Sequence, residues 1–207
     1  MDLCSLVFEV ETHAPEAAFH HVFWAMIAQV GPLLANELQF GKGYKPYTVS
    51  PLMQDDGPTP RGAASGWFRI TTLTPQVTRA LLNYRDDHFE QGQVMLGWAL
   101  KRIELHSPWS DFSSYSAIYR SDAAERNVTF RFITPTAFSH PRVSTTVILP
   151  YADLIFRNLH QRWQAFSQIV VDDLHRASSW TPSPSIAVCC RSMACHSADS
   201  WGRPNSP

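Results

Sequence analysis

Leu3–Val10 is rich in apolar and β-capable residues and reads as a first strand, and Pro15 closes the connection that follows. From Glu16 to Val30 the period changes. Phe19, Phe23, Met26, Ile27 and Val30 recur at helical spacing, and Gly31-Pro32 supplies a stop. A short second helix is expected through Leu33, Leu34 and Leu38. Gly41 and Gly43 then loosen the chain before an extended segment, Tyr44 to Met53. The Gly- and Pro-rich stretch from Gln54 to Gly66 reads as a hairpin-like return into a strand at Trp67-Phe68-Arg69-Ile70-Thr71. Pro75 opens a helix carrying Val77, Ala80, Leu81 and Tyr84, and Val94 to Leu105 has the composition of one further strand.

The resulting order, βαββαβ, predicts an α+β ferredoxin-like unit with two helices on one face of an antiparallel sheet, ending near His106. A polar connector over 107–125 follows. Asn127 to Ile133 alternates as a strand, and Asp153 to Val171 carries Ile155, Leu159, Trp163, Phe166 and Val170 along one helical stripe. The pattern thus begins again and stops short. The expectation is two tandem ferredoxin-like halves, at 1–106 and 126–175, the second incomplete. No period survives in 176–207, which is rich in Ser and Pro.

The chain has 207 residues, 44% of them hydrophobic, enough for a sizeable core. No apolar run reaches the roughly eighteen residues of a membrane span, and no basic-then-apolar leader opens the chain. A soluble, cytoplasmic protein without a membrane partner is expected. Reduced thiols are the default for Cys4, Cys189, Cys190 and Cys195. Adjacent cysteines followed by Cys195-His196 lack paired-ligand spacing, so neither a metal nor any other cofactor is expected. The net charge of −1 exerts no overall pull on nucleic acid, so any such site must be local.

Two segments far apart carry a resemblance: Gly43-Tyr44-Lys45-Pro46-Tyr47-Thr48-Val49-Ser50-Pro51-Leu52, and Phe132-Ile133-Thr134-Pro135-Thr136-Ala137-Phe138, supported by Leu149-Pro150, Ile155-Phe156 and Arg162-Trp163. Together they resemble the CRISPR-associated endoribonucleases of the repeat-associated mysterious protein superfamily, over roughly positions 3 to 172. The resemblance implies tandem ferredoxin-like halves and metal-independent cutting of CRISPR repeat RNA in antiviral defence. The ribose 2′-hydroxyl would attack the neighbouring phosphate, leaving a cyclic phosphate and a 5′-hydroxyl. The partners implied are repeat RNA and proteins of a CRISPR effector complex.

Such a reaction needs a base, an acid and a cation for the charge that builds on phosphate. The resemblance places a catalytic lysine at Lys45, for which a solvated loop lysine is the competing reading. Where many members carry a catalytic histidine this chain has Gln39, whose amide cannot exchange a proton near neutral pH. His20 is the candidate replacement. It precedes by one helical turn Trp24, which aligns with a catalytic tyrosine of some members, whereas His21 projects toward the opposite flank. Half-buried surface residues of a core helix are the alternative reading for both histidines. Lys42, Arg131 and Arg142 are candidates for phosphate contacts, and Trp67-Phe68-Arg69 for stacking an unpaired base, with ordinary exposed cations and a buried strand face as the competing readings. The glycine-rich loop that cradles RNA near the C-terminus of members is missing after Val171, and the foreign tail suggests a frameshift or truncation. A non-cutting RNA-binding subunit, or an inactive truncated product, is the alternative function.

Overall fold

The computed structural model describes residues 2–12, 18–54, 57–58, 65–121, 138–139, 146–147 and 152–171. In chain order the elements are β1 (Leu3–Thr12), α1 (Phe19–Val30), α2 (Pro32–Phe40), β2 (Tyr47–Val49), β3 (Met53–Gln54), β4 (Gly57–Pro58), β5 (Ser65–Thr72) and α3 (Pro75–Asn83). A single π-helical turn (Tyr84–His88) extends α3. Then come β6 (Val94–Met95), β7 (Trp98–Glu104), β8 (Asp111–Ser113), α4 (Tyr115–Arg120), β9 (Phe138–Ser139), β10 (Thr146–Val147) and α5 (Ala152–Phe166).

The long strand β1 is central. It pairs antiparallel with β5 along nearly its whole length, Leu6 opposite Ile70 and Phe8 opposite Phe68, and on its other edge with β7. β2 pairs with the far end of β5, Tyr47 opposite Thr72. The order β7-β1-β5-β2 is that of a ferredoxin-like sheet, as the element pattern predicted. Alternation along the strands sends Cys4, Leu6, Phe8, Val10, Phe68, Ile70, Trp98 and Leu100 to one face. There they meet Val22, Phe23, Met26 and Ile27 of α1, Ala35 and Leu38 of α2, and Val77, Ala80 and Leu81 of α3. Phe19 locks the layers, its ring 4.5 Å from Phe68 and 4.4 Å from Trp98. The opposite face of the sheet carries Ser5, Val7, Glu9, Trp67 and Arg69.

Three local readings differ. The single strand expected over Val94–Leu105 is a hairpin, because Leu96 and Gly97 both take positive φ, 50° and 83°, and turn the chain between Met95 and Trp98. The extended segment from Tyr44 is split at Ser50-Pro51. There the Ser50 hydroxyl accepts from the Arg69 amide while the Ser50 amide donates to the Arg69 carbonyl. The polar stretch after His106 is not plain connector, since Asp111–Ser113 pairs with the start of β1 below the point where β7 ends. Ser-rich composition hid that strand.

In the second half, β9 and β10 form an antiparallel pair, and α5 starts where expected but ends at Phe166 rather than Val171: Ser167 turns the chain, its hydroxyl bonded to the Ile169 backbone, and Val170, expected on the apolar stripe, is exposed. The strand expected at Asn127–Ile133 and the tail from 176 lie outside the described residues. The architecture is α+β, in agreement with a tandem ferredoxin-like protein. Among the described residues no helix is long and apolar enough to cross a membrane.

Candidate functional site

The first turns of α1 set out His20, His21 and Trp24. Residues three and four apart share a helix face, so Trp24 is a neighbour of both histidines. Its ring lies 5.0 Å from His20 and 5.1 Å from His21, and the two imidazoles are 4.2 Å apart. The expectation that His21 turns away is therefore corrected: the width of the indole reaches both flanks. Both imidazoles are solvent-exposed. Partial desolvation, and next the charge of His21, hold the His20 pKa below its ordinary 6.5. His20 is accordingly a neutral imidazole at neutral pH, free to accept a proton.

Trp24 ties this helix to β2. Its indole N–H donates to the Tyr47 hydroxyl at 2.7 Å, and the Tyr47 ring packs 4.6 Å from Phe23. Burial pushes the Tyr47 phenol up, the indole hydrogen bond opposing the shift. Tyr47 lies in the segment that carries the sequence resemblance but was given no role at the site from sequence.

Lys45 is neither a free cation nor a solvated loop residue. Its Nζ donates to the carbonyls of Leu38 at 2.8 Å, Gln39 at 3.1 Å and Gly41 at 2.8 Å. A helix ends with carbonyls that have no intrahelical partner, and an ammonium with three protons satisfies two of them, and the carbonyl of the capping Gly41, at the negative end of the helix dipole. Gly43, at φ 96° and with open space around it, makes the reversal that brings Lys45 back over α2. Gln39 is exposed, and its carbonyl is one of the three acceptors. Lys42 is exposed in the same loop. Next to Lys45, the Tyr44 hydroxyl donates to Gln161 Oε1 of α5 at 2.8 Å, and Trp163 of that helix meets the Tyr115 ring edge-on at 5.2 Å. The reversal loop thereby touches the second half.

On the sheet face opposite α1 and α3 a separate cluster forms. Phe68 is buried in the core and so is removed from the expected stacking group, whereas Trp67 and Arg69, two positions apart on one strand face, come together with Trp109. The two indoles stack at 6.2 Å, and the Arg69 guanidinium lies 5.4 Å from the centre of the Trp109 ring. Desolvation lowers the Arg69 pKa. Sequence reasoning missed Trp109, which sits among Pro and Ser in what reads as a connector.

Arg131, Arg142, Cys189, Cys190 and Cys195 lie outside the described residues. Among the described residues no group of three His, Cys, Asp or Glu side chains is placed to hold a metal ion.

The chain matches no family model and no curated protein by sequence. Its fold does match solved structures. One Cas6 product complex superposes with a TM-score of 0.58 at 26% identity, over 85% of this chain and 70% of that one. The Cas6-like fold is this protein's fold. A second Cas6 product complex has a TM-score of 0.63 at 21% identity, over 83% of this chain and 67% of the other. A mutant Cas6 gives 0.56 at 20% identity, over 84% and 66%. Within the Cas6-like fold, the three positions that the sequence resemblance singles out, Trp24, Gln39 and Lys45, fall around the junction of α1, α2 and β2. The first is joined to β2 through Tyr47, and the second to the third through a backbone carbonyl.

Proposed function

We propose that the protein binds CRISPR repeat RNA and cuts within it by metal-independent attack of a ribose 2′-hydroxyl on the adjacent phosphate. The observation that carries this reading is the convergence of His20, His21, Trp24 and Tyr47 on the α1–β2 junction of a Cas6-like fold. His20 accepts the 2′-hydroxyl proton. His21, in contact with it, is the second group able to exchange a proton with the leaving oxygen. Trp24 has no proton to exchange near neutral pH, and contributes packing and orientation. Lys45 neutralises charge at the phosphate only by releasing some of its carbonyl partners. Lys42, Arg131 and Arg142 are proposed phosphate contacts on the same RNA.

A second reading has its own support. Gln39 cannot transfer a proton, and all three Lys45 donors are occupied, which favours a subunit that holds repeat RNA, alone or in an effector complex, without cutting. Single-turnover incubation of the protein with a repeat RNA from the same genome, in excess EDTA, separates the two. Cleavage that yields a cyclic phosphate and is lost in His20→Ala supports the enzyme. Binding without cleavage supports the second reading, and absence of both refutes the RNA function.

A further inference from the structure

We propose that Trp109, together with Trp67 and Arg69, forms a stacking site for one unpaired RNA nucleotide on the sheet face opposite α1 and α3, the indole of Trp109 taking the base and the Arg69 guanidinium its phosphate. The proposal rests on the RNA-binding reading above and adds a site, on the sheet face opposite α1, for a stated part of the RNA.

Trp109 is 44% exposed although its backbone is fixed in place. The Ser5 hydroxyl donates to the Trp109 carbonyl at 2.9 Å, the Trp109 amide donates to Ser107 Oγ at 3.2 Å, and the next residue is bonded to β1 through the Val7 amide and Ser110 Oγ at 3.2 Å. Ser110 Oγ also donates to the Glu104 carbonyl. An aromatic ring held rigidly at a surface loses little conformational freedom when another ring stacks on it. Every base presents a π-face, so the site would tolerate sequence and demand only that the base be unpaired.

The charges around it point the same way. Arg102 pairs with Glu9 and Glu104, and Lys101 pairs with Glu11, so the cations on β7 are already neutralised. Arg69, half-buried against Trp109, has no carboxylate partner among the described residues. A planar guanidinium in that setting matches the geometry of a phosphate, and both parts of a nucleotide are then served within one cluster.

The test is fluorescence anisotropy with a labelled six-nucleotide oligoadenylate RNA and its abasic counterpart, which keeps the phosphates and lacks the bases. Trp109→Ala should weaken oligoadenylate binding about tenfold and leave abasic binding unchanged, while Trp109→Phe, which keeps an aromatic face, should stay near wild type. Arg69→Gln should reduce the slope of affinity against salt by about one phosphate contact. The proposal is overturned if Trp109→Ala binds oligoadenylate within about twofold of wild type, or if the abasic strand binds as tightly as the oligoadenylate. Loss confined to these variants, with repeat RNA bound by wild type, concerns this site. Failure of wild type to bind either RNA refutes the RNA reading itself and this site with it.

Discussion

Lys45→Ala removes three hydrogen bonds from one helix end, and their surroundings set the cost. The bond to the Leu38 carbonyl is partly buried, and a hydrogen bond from a charged donor there contributes about 1.5 kcal/mol. The carbonyls of Gln39 and Gly41 face water and will be rehydrated, leaving mainly the attraction of the ammonium for the helix C-terminus, about 0.5 kcal/mol. The total, about 2 kcal/mol, is roughly a 30-fold change in the unfolding equilibrium, and a drop in Tm of about 4–8 °C for a chain of this size. Urea unfolding followed by far-ultraviolet circular dichroism reads it as a lower midpoint at unchanged slope. Lys45→Arg, which keeps the charge, should recover part of the loss. A change below about 0.5 kcal/mol in Lys45→Ala would refute the capping argument. The result also governs how activity is interpreted. A protein of ordinary stability stays folded after losing about 2 kcal/mol, so a large fall in cleavage by a still-folded Lys45→Ala would separate a role at the phosphate from a role at the helix end.

Three further outcomes are expected. Leu96 holds a φ of 50° in a two-residue turn and is 52% exposed, so Leu96→Asn relieves backbone strain with little packing loss; a rise in stability of about 1 kcal/mol in thermal unfolding is expected, and a fall would contradict the strain. The His20 pKa lies below 6.5 in the folded protein, so the unfolded chain binds that proton more tightly and this group lowers stability as pH drops below 6.5. In an NMR titration His21→Ala should raise the His20 value only partway, because burial is the larger cause; titration at or above 6.5 in the wild type would be inconsistent with the site described. Thr72 and Thr78 are buried and share a 2.6 Å hydroxyl contact, and the Thr78 hydroxyl donates a hydrogen bond to the Asp2 carbonyl at 3.0 Å. Thr78→Val keeps the volume and breaks that chain, which should cost about 1–2 kcal/mol in urea unfolding, whereas an unchanged midpoint would mean that the hydroxyl pair contributes nothing.

How much of this was legible in the residues varies by element. The strand at Leu3, the helix ending at Val30, the strand around Phe68, the helix after Pro75 and the start of the last helix follow from apolar periodicity, whereas the end of that last helix, expected at Val171, falls at Phe166. The ferredoxin-like sheet follows from their order. The Leu96–Gly97 turn was hidden because a leucine with positive φ gives no turn signal, and β8 because three residues, Asp111-Phe112-Ser113, are too few to show a period of two. At the candidate site, His20 and Lys45 were reached from sequence. Their surroundings were not, since Lys45 spends its donors on carbonyls that every residue type possesses, and Trp24 touches His21 through the breadth of its ring.

Trp109 marks the boundary most plainly. The chain by itself determined which positions are buried, because burial is repeated along an element and leaves a period of two or 3.6 residues that can be read locally. Which polar and aromatic groups meet across the fold was decided only by tertiary structure. The partners of Trp109 on β1 and β5 are far from it in sequence, and no local pattern records how a loop closes back over a sheet.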